Sequence, residues 1–189
     1  MEIIVIFADL FYTIKYSKSK KNEFARILEF WRDPEQLFNF FEDNLRDLQS
    51  GFYGEITVEE AVLITIKEAS ELERRLLNSK HKRDEINNFL KKDLFTNPSV
   101  KELIPKKAYG YRKHSWLRLY AIELSNECFL ITGGTIKLTH LMQERQHTKK
   151  ELIKIQKCLD FLKENGIFDN SGIIDTIETQ ENNEQAKTE

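Results

Sequence analysis

The sequence predicts an α+β fold: a mostly antiparallel sheet packed against N-terminal helices and a C-terminal helix, with an inserted helical hairpin. Three observations carry this. Strand-forming runs open the chain and recur after Trp116, and helix-periodic segments with good caps lie between them. A last capped run then completes the order strands, helices, strands, helix. A length of 189 residues suits one domain, assigned to residues 1–174. Thirteen Phe, six Tyr and two Trp supply a real core and exclude a wholly disordered chain.

Strands are expected near residues 2–8 and 10–16, rich in Ile, Val, Phe and Tyr. Asn22 can cap a helix from Glu23 to about Arg32, with Phe24, Ile27, Leu28 and Trp31 on one face. Asp33-Pro34-Glu35-Gln36 restarts a helix, because Asp is a good N-cap and Pro needs no donor at the first position. Leu37, Phe38, Phe41, Leu45 and Leu48 form its apolar stripe. Thr57-Val58-Glu59-Glu60 is a capping box for a helix to about Leu77. A further helix through Ile86, Phe89 and Leu90 would make residues 57–94 the helical hairpin insertion. Trp116 to Leu124 and Cys128 to Thr132 form a strand pair, and Gly133-Gly134 allows a bulge or turn before residues 135–138. Thr148-Lys149-Lys150-Glu151 is another capping box, opening a helix that Gly166 ends. Residues 175–189 hold one large apolar residue, Ile177, and are expected to be an acidic disordered tail.

Several function classes are disfavoured. No apolar run approaches the roughly 18–20 residues of a membrane span, so no membrane partner is expected. Met1-Glu2-Ile3 lacks the positive region of a signal peptide, and two cysteines give no disulfide framework. The expected localisation is cytoplasmic. Gly133-Gly134-Thr135 lacks the Walker spacing and its Lys. His140/Glu144 and His147/Glu151 have the four-residue spacing of metal pairs but no evident third ligand. No metal and no cofactor is expected.

Charge is unevenly spread. Residues 101–164 carry 13 Lys and Arg against 7 Asp and Glu, a net of +6 in a chain of net −2. Clustered cations attract phosphates and release counterions. Lys106, Lys107, Arg112, Lys113 and His114 precede the first strand of the pair, interleaved with Tyr109, Tyr111 and Trp116. Cations that hold phosphates beside rings that stack on bases suit single-stranded RNA. Arg118 and Tyr120 alternate along the strand and so share a face. Cleavage at an RNA 2′-hydroxyl needs a base, cations on the phosphate and an acid for the leaving oxygen. Arg118, Lys137 and Arg145 could supply the cations, and Tyr120, His114 or His147 the proton transfer. The opposing reading is a basic loop with core aromatics, its charges scattered and never converging.

The stretch from about 109 to 162 resembles the RelE/ParE superfamily of small toxins, especially its HigB-type, phage-derived branch. The matching residues are Arg118 and Tyr120 on a central strand, then Phe129-Leu130-Ile131 on a second. Gly134-Thr135-Ile136-Lys137-Leu138-Thr139 and Thr148-Lys149-Lys150-Glu151 follow. The chain is about twice the usual family length, and the spacing from Lys137 to Thr148 is longer than the pattern's. The resemblance implies the toxin component of a type II toxin–antitoxin system, an mRNA-cleaving endoribonuclease with a metal-free basic site. Its partners would be RNA, free or on the ribosome, and an antitoxin protein. The expected catalytic set is Arg118, Tyr120, Lys137, Arg145 and His147, with Lys106, Lys107, Arg112, Lys113, His114 and Trp116 binding RNA. The alternative is a non-catalytic module on the same fold that binds a protein partner through its long helices.

Overall fold

Residues 2–15 form a hairpin of β1 (Glu2–Phe7) and β2 (Phe11–Lys15), reversed at Asp9 with φ of 66°. The computed structural model describes residues 1–78, 86, 89–90, 92–94, 102–112, 114–125 and 128–186. The helices α1 (Glu23–Phe30), α2 (Pro34–Asp43), α3 (Leu45–Leu48) and α4 (Val58–Asn78) follow the hairpin. The helices expected at the N-terminus therefore come after two strands. Strands β3 (Lys92–Asp93), β4 (Leu103–Tyr109), β5 (Leu117–Leu124) and β6 (Cys128–Ile136) come next. The chain closes with α5 (Gln146–Glu164) and α6 (Asn170–Gln185).

The result is an α+β fold whose six-stranded sheet has the order β1-β2-β6-β5-β4-β3. Every neighbouring pair is antiparallel except β2 and β6. That parallel pairing, Phe11 against Phe129 through Thr13 against Ile131, puts the first hairpin beside the last strand. None of the described helices is long and apolar enough to cross a membrane.

Local sequence sets the first helix starts. Asn22 accepts from the Ala25 N–H at 2.9 Å, and Asp33 accepts from the Glu35 and Gln36 N–H groups at 3.0 Å. Thr57 and Glu60 bond reciprocally as a capping box. Such caps are each worth about 1 kcal/mol. The expected box at Thr148–Glu151 does not form. Arg145 is the N-cap of α5, and the Thr148 hydroxyl donates instead to the carbonyls of Met142 and Arg145. Glu151 bonds Lys154 beneath the sheet.

The sheet is covered on both faces. Leu117, Leu119, Ala121, Phe129 and Ile131 pack with Trp31, Phe41, Leu72 and Trp116 under α1–α4. Tyr120, Ile122, Leu130 and Tyr12 pack with Ile155, Cys158, Leu162 and Ile173 under α5 and α6. Alternation along β5 divides the two cores. Strand β6 runs unbroken through Gly133-Gly134, and the register skips Thr132 as the extra residue opposite Tyr120/Ala121. The glycine pair serves close approach. A Cβ on Gly133 would meet Glu151 Oε2 at 2.0 Å, and one on Gly134 would meet the Arg118 carbonyl at 2.9 Å and Ile27 at 3.1 Å. One helix layer presses on each glycine.

Two expectations need correction or restriction. Residues 175–185 are helical rather than disordered, because they dock on β1. The Ile3 N–H donates to Gln180 Oε1 at 3.0 Å, and Gln180 Nε2 donates to the Ile3 carbonyl at 3.1 Å. Ile177 packs beside this contact. Residues 187–189 lie outside the described residues, as does most of the second arm of the expected hairpin at 79–90. Of that arm, Ile86 and Leu90 are described and buried in the first core.

Candidate functional site: a basic cleft at one end of the sheet

Leu117 and Leu119 face the first core, so Arg118 between them faces the α5 side. The face that Arg118 and Tyr120 share is not open to solvent along its length, because Tyr120, Ile122 and Leu130 are packed in the second core. Helix α5 covers most of it, and only the end around Arg118 is left accessible.

Two hollows meet there, sharing Arg118, Lys137 and His140. The larger, of about 520 Å³, is also lined by Asp47, Ser50, Phe52, Tyr53 and Arg145. The smaller, of about 310 Å³, adds Lys107, Tyr109, Tyr120 and Met142.

Arg118 is held in place. Its guanidinium lies 4.0 Å from the ring centroid of Tyr109, its register partner on β4. Nη1 donates to the Ser115 and Leu117 carbonyls at 2.7 Å. Burial is the chief cause lowering its pKa, although arginine stays charged. Lys137 leaves β6 with its N–H on the Trp116 carbonyl, and its ammonium donates to the carbonyls of Thr139 and His140. Its pKa is lowered by burial first, then by the positive charges of Arg118 and Lys107. Among the described residues none of these three cations has an ion pair. They crowd a half-buried site with charge that an anion would relieve.

The other expected catalytic residues behave differently. Arg145 reaches the rim, but its guanidinium is matched to Asp47, Nε to Oδ2 at 2.6 Å and Nη2 to Oδ1 at 2.5 Å. That pair ties the connection after β6 to α3 and neutralises the arginine. Tyr120 is 1% exposed, its hydroxyl donates to Met142 Sδ, and burial drives its pKa well upward. It walls the smaller hollow as a neutral phenol. His147 lines neither hollow. It sits edge-on to Phe40 with centroids 5.1 Å apart, its Nε2 3.0 Å from the Ile136 carbonyl.

Burial lowers the His147 pKa, with Arg145 adding to the effect. A depressed folded-state value favours the neutral ring in the native protein. Its contribution is thus present above the unfolded pKa of about 6.5 and is lost as pH falls through the folded value. Melting temperatures of wild type and His147→Gln, measured from pH 7 to pH 5, should converge toward acid. Parallel curves would show that the ring is not titrating against burial.

The expected RNA-binding residues also divide. Lys107 lines the smaller hollow. Lys106 points to the opposite face, 3.0 Å from Glu123. Trp116 is fully buried, its Nε1 donating to Thr65 Oγ1 at 2.9 Å, and is a core residue rather than a stacking platform. Arg112 lies over the Trp116 ring at 5.6 Å, with its backbone N–H on the buried carboxylate of Glu68. His114 is exposed beside Phe52 at 5.4 Å. Lys113 lies outside the described residues.

Sequence reasoning missed Phe52, Tyr53 and the placement of His140 in the hollow. The first two sit in Ser50-Gly51-Phe52-Tyr53-Gly54, an aromatic pair between glycines in a segment without helix or strand period. That composition was the available signal. No family model matches this chain, and neither a curated protein nor a solved structure matches it.

Proposed function

We propose that this protein binds and cleaves RNA in the cleft around Arg118 and Lys137, as the toxin of a type II toxin–antitoxin pair acting in the cytoplasm. The supporting observation is the convergence of Arg118, Lys137 and Lys107, three cations without ion pairs among the described residues, on two joined hollows. The resemblance of residues 109–162 to RelE/ParE toxins supplies the reaction class.

In this reading the RNA phosphate sits between Arg118 and Lys137. The 2′-oxygen attacks phosphorus and the bond to the 5′-oxygen breaks, leaving a 2′,3′-cyclic phosphate and a 5′-hydroxyl. One group takes the 2′-proton and another protonates the leaving oxygen. Among the described residues His140 lines both hollows, and in this reading it takes the place of His147 and Tyr120 as candidate proton carrier. The two cations stabilise the extra charge on the crowded phosphorus. An antitoxin would block the cleft.

Expression of the chain alone in bacteria should arrest growth and shorten mRNA. The purified protein should cut RNA equally with and without a chelator, because side chains supply the cations. Normal growth with intact mRNA at high soluble expression would favour the interaction module. The exposed Leu63 on α4, 68% accessible, would then be the first place to seek a protein partner.

A further inference from the structure

We propose that Phe52 seats a nucleobase beside the phosphate site, so that the cleft selects single-stranded over duplex RNA. This rests on the reading of the cleft as an RNA site and names what that site recognises.

The loop between α3 and α4 is shaped by two left-handed glycines, Gly51 at φ of 87° and Gly54 at φ of 83°. A side chain at either position would be strained whatever the space around it. Between them the two aromatics part. Tyr53 turns inward, its ring 5.2 Å from Trp116 and its hydroxyl donating to the Lys137 carbonyl at 2.9 Å. The loop is thereby anchored to the residue that supplies one of the site cations. Phe52 turns outward and is 52% exposed, on the lining of the same hollow as Arg118 and Lys137.

Three rings surround Phe52: Tyr53 at 4.9 Å, His114 at 5.4 Å and His140 at 5.6 Å, with interplanar angles of 86°, 80° and 71°. All three contacts are edge-to-face. No ring in the set lies flat on Phe52, and a parallel partner is what an unpaired base provides. Every base has a π-face, so such a seat tolerates many sequences, whereas a duplex keeps its faces stacked inside the helix. The neighbouring cations match the phosphate that each base carries with it. An exposed aromatic beside cations that have no ion pair among the described residues thus has the two chemistries that single-stranded binding requires.

The test uses the full chain and fluorescence anisotropy with labelled 2′-O-methyl oligonucleotides, which lack the attacking hydroxyl. One is single-stranded, one is an abasic chain of equal length, and one is a perfect duplex. Phe52→Ala and Phe52→Leu should weaken single-strand binding about tenfold or more and leave abasic binding unchanged. Phe52→Trp should restore it, and wild type should bind the single strand more tightly than the duplex. Lys137→Gln should weaken the single-stranded and abasic chains alike. Equal loss on the abasic chain with Phe52→Ala, or wild-type binding by Phe52→Leu, would overturn the stacking role. If Lys137→Gln weakens binding and Phe52→Ala does not, the RNA cleft stands and this inference falls. If wild type binds none of the three, the RNA reading itself falls and takes this inference with it.

Discussion

Arg118→Ala should reduce RNA cleavage about 100-fold or more in a protein that still folds. A preorganised donor at developing charge is worth roughly 3–4 kcal/mol, which corresponds to about two to three powers of ten in rate. The stability cost should be smaller, about 1–2 kcal/mol, for releasing the Ser115 and Leu117 carbonyls. Arg118→Lys should fall between, because it keeps the charge and loses the planar fork over Tyr109. Single-turnover cleavage of a defined RNA, with melting temperature measured alongside, separates the two effects. Full activity per folded molecule in the alanine variant would make Arg118 a brace for the approach to β5, and the catalytic reading would lose its best-matched residue.

Trp116→Ala should cost about 3–5 kcal/mol, the range for truncating a fully buried large aromatic. The ring is fully buried and meets Phe41 at 5.6 Å and Tyr53 at 5.2 Å, both edge-on. Trp116→Phe keeps most of the packing and loses the bond to Thr65, for about 1 kcal/mol. Denaturant midpoints read both losses. The phenylalanine variant should bind RNA as wild type does, since no part of Trp116 reaches solvent. Weakened binding at unchanged stability would instead return Trp116 to the interface.

What the sequence disclosed follows physical range. Asn22, Asp33 and Thr57 cap helices through atoms two or three residues away, so their roles were readable from spacing alone. The same spacing misled at Thr148–Glu151, because the close approach of α5 to Gly133 draws Glu151 inward. Arg118 and Lys137 were legible through strand alternation and their place at strand ends. His140 and Phe52 were not, because their positions depend on where two aperiodic connections dock. The Arg145–Asp47 pair fixes one, and the Tyr53 bond to the Lys137 carbonyl fixes the other. The same charged chemistry that suggested Arg145 as catalytic is what spends it on docking.

The hydrogen bonds between Gln180 and Ile3 have a consequence for self-association. β1 is an outer strand of the sheet, with one row of peptide groups turned away from β2. A carboxamide offers an acceptor oxygen and a donor NH2 side by side, and Gln180 uses one bond of each on Ile3, as a residue of an added strand would. Gln180 therefore acts as a single rung of a missing seventh strand, while the rest of α6 runs as a helix and cannot continue the ladder. The hydrophobic run Ile3-Ile4-Val5-Ile6 is the kind of segment that recruits copies of itself when its edge is bare. The acidic C-terminal helix, anchored in the second core by Ile173, thus occupies with one side chain a position on the edge of β1 that the strand of another molecule would need.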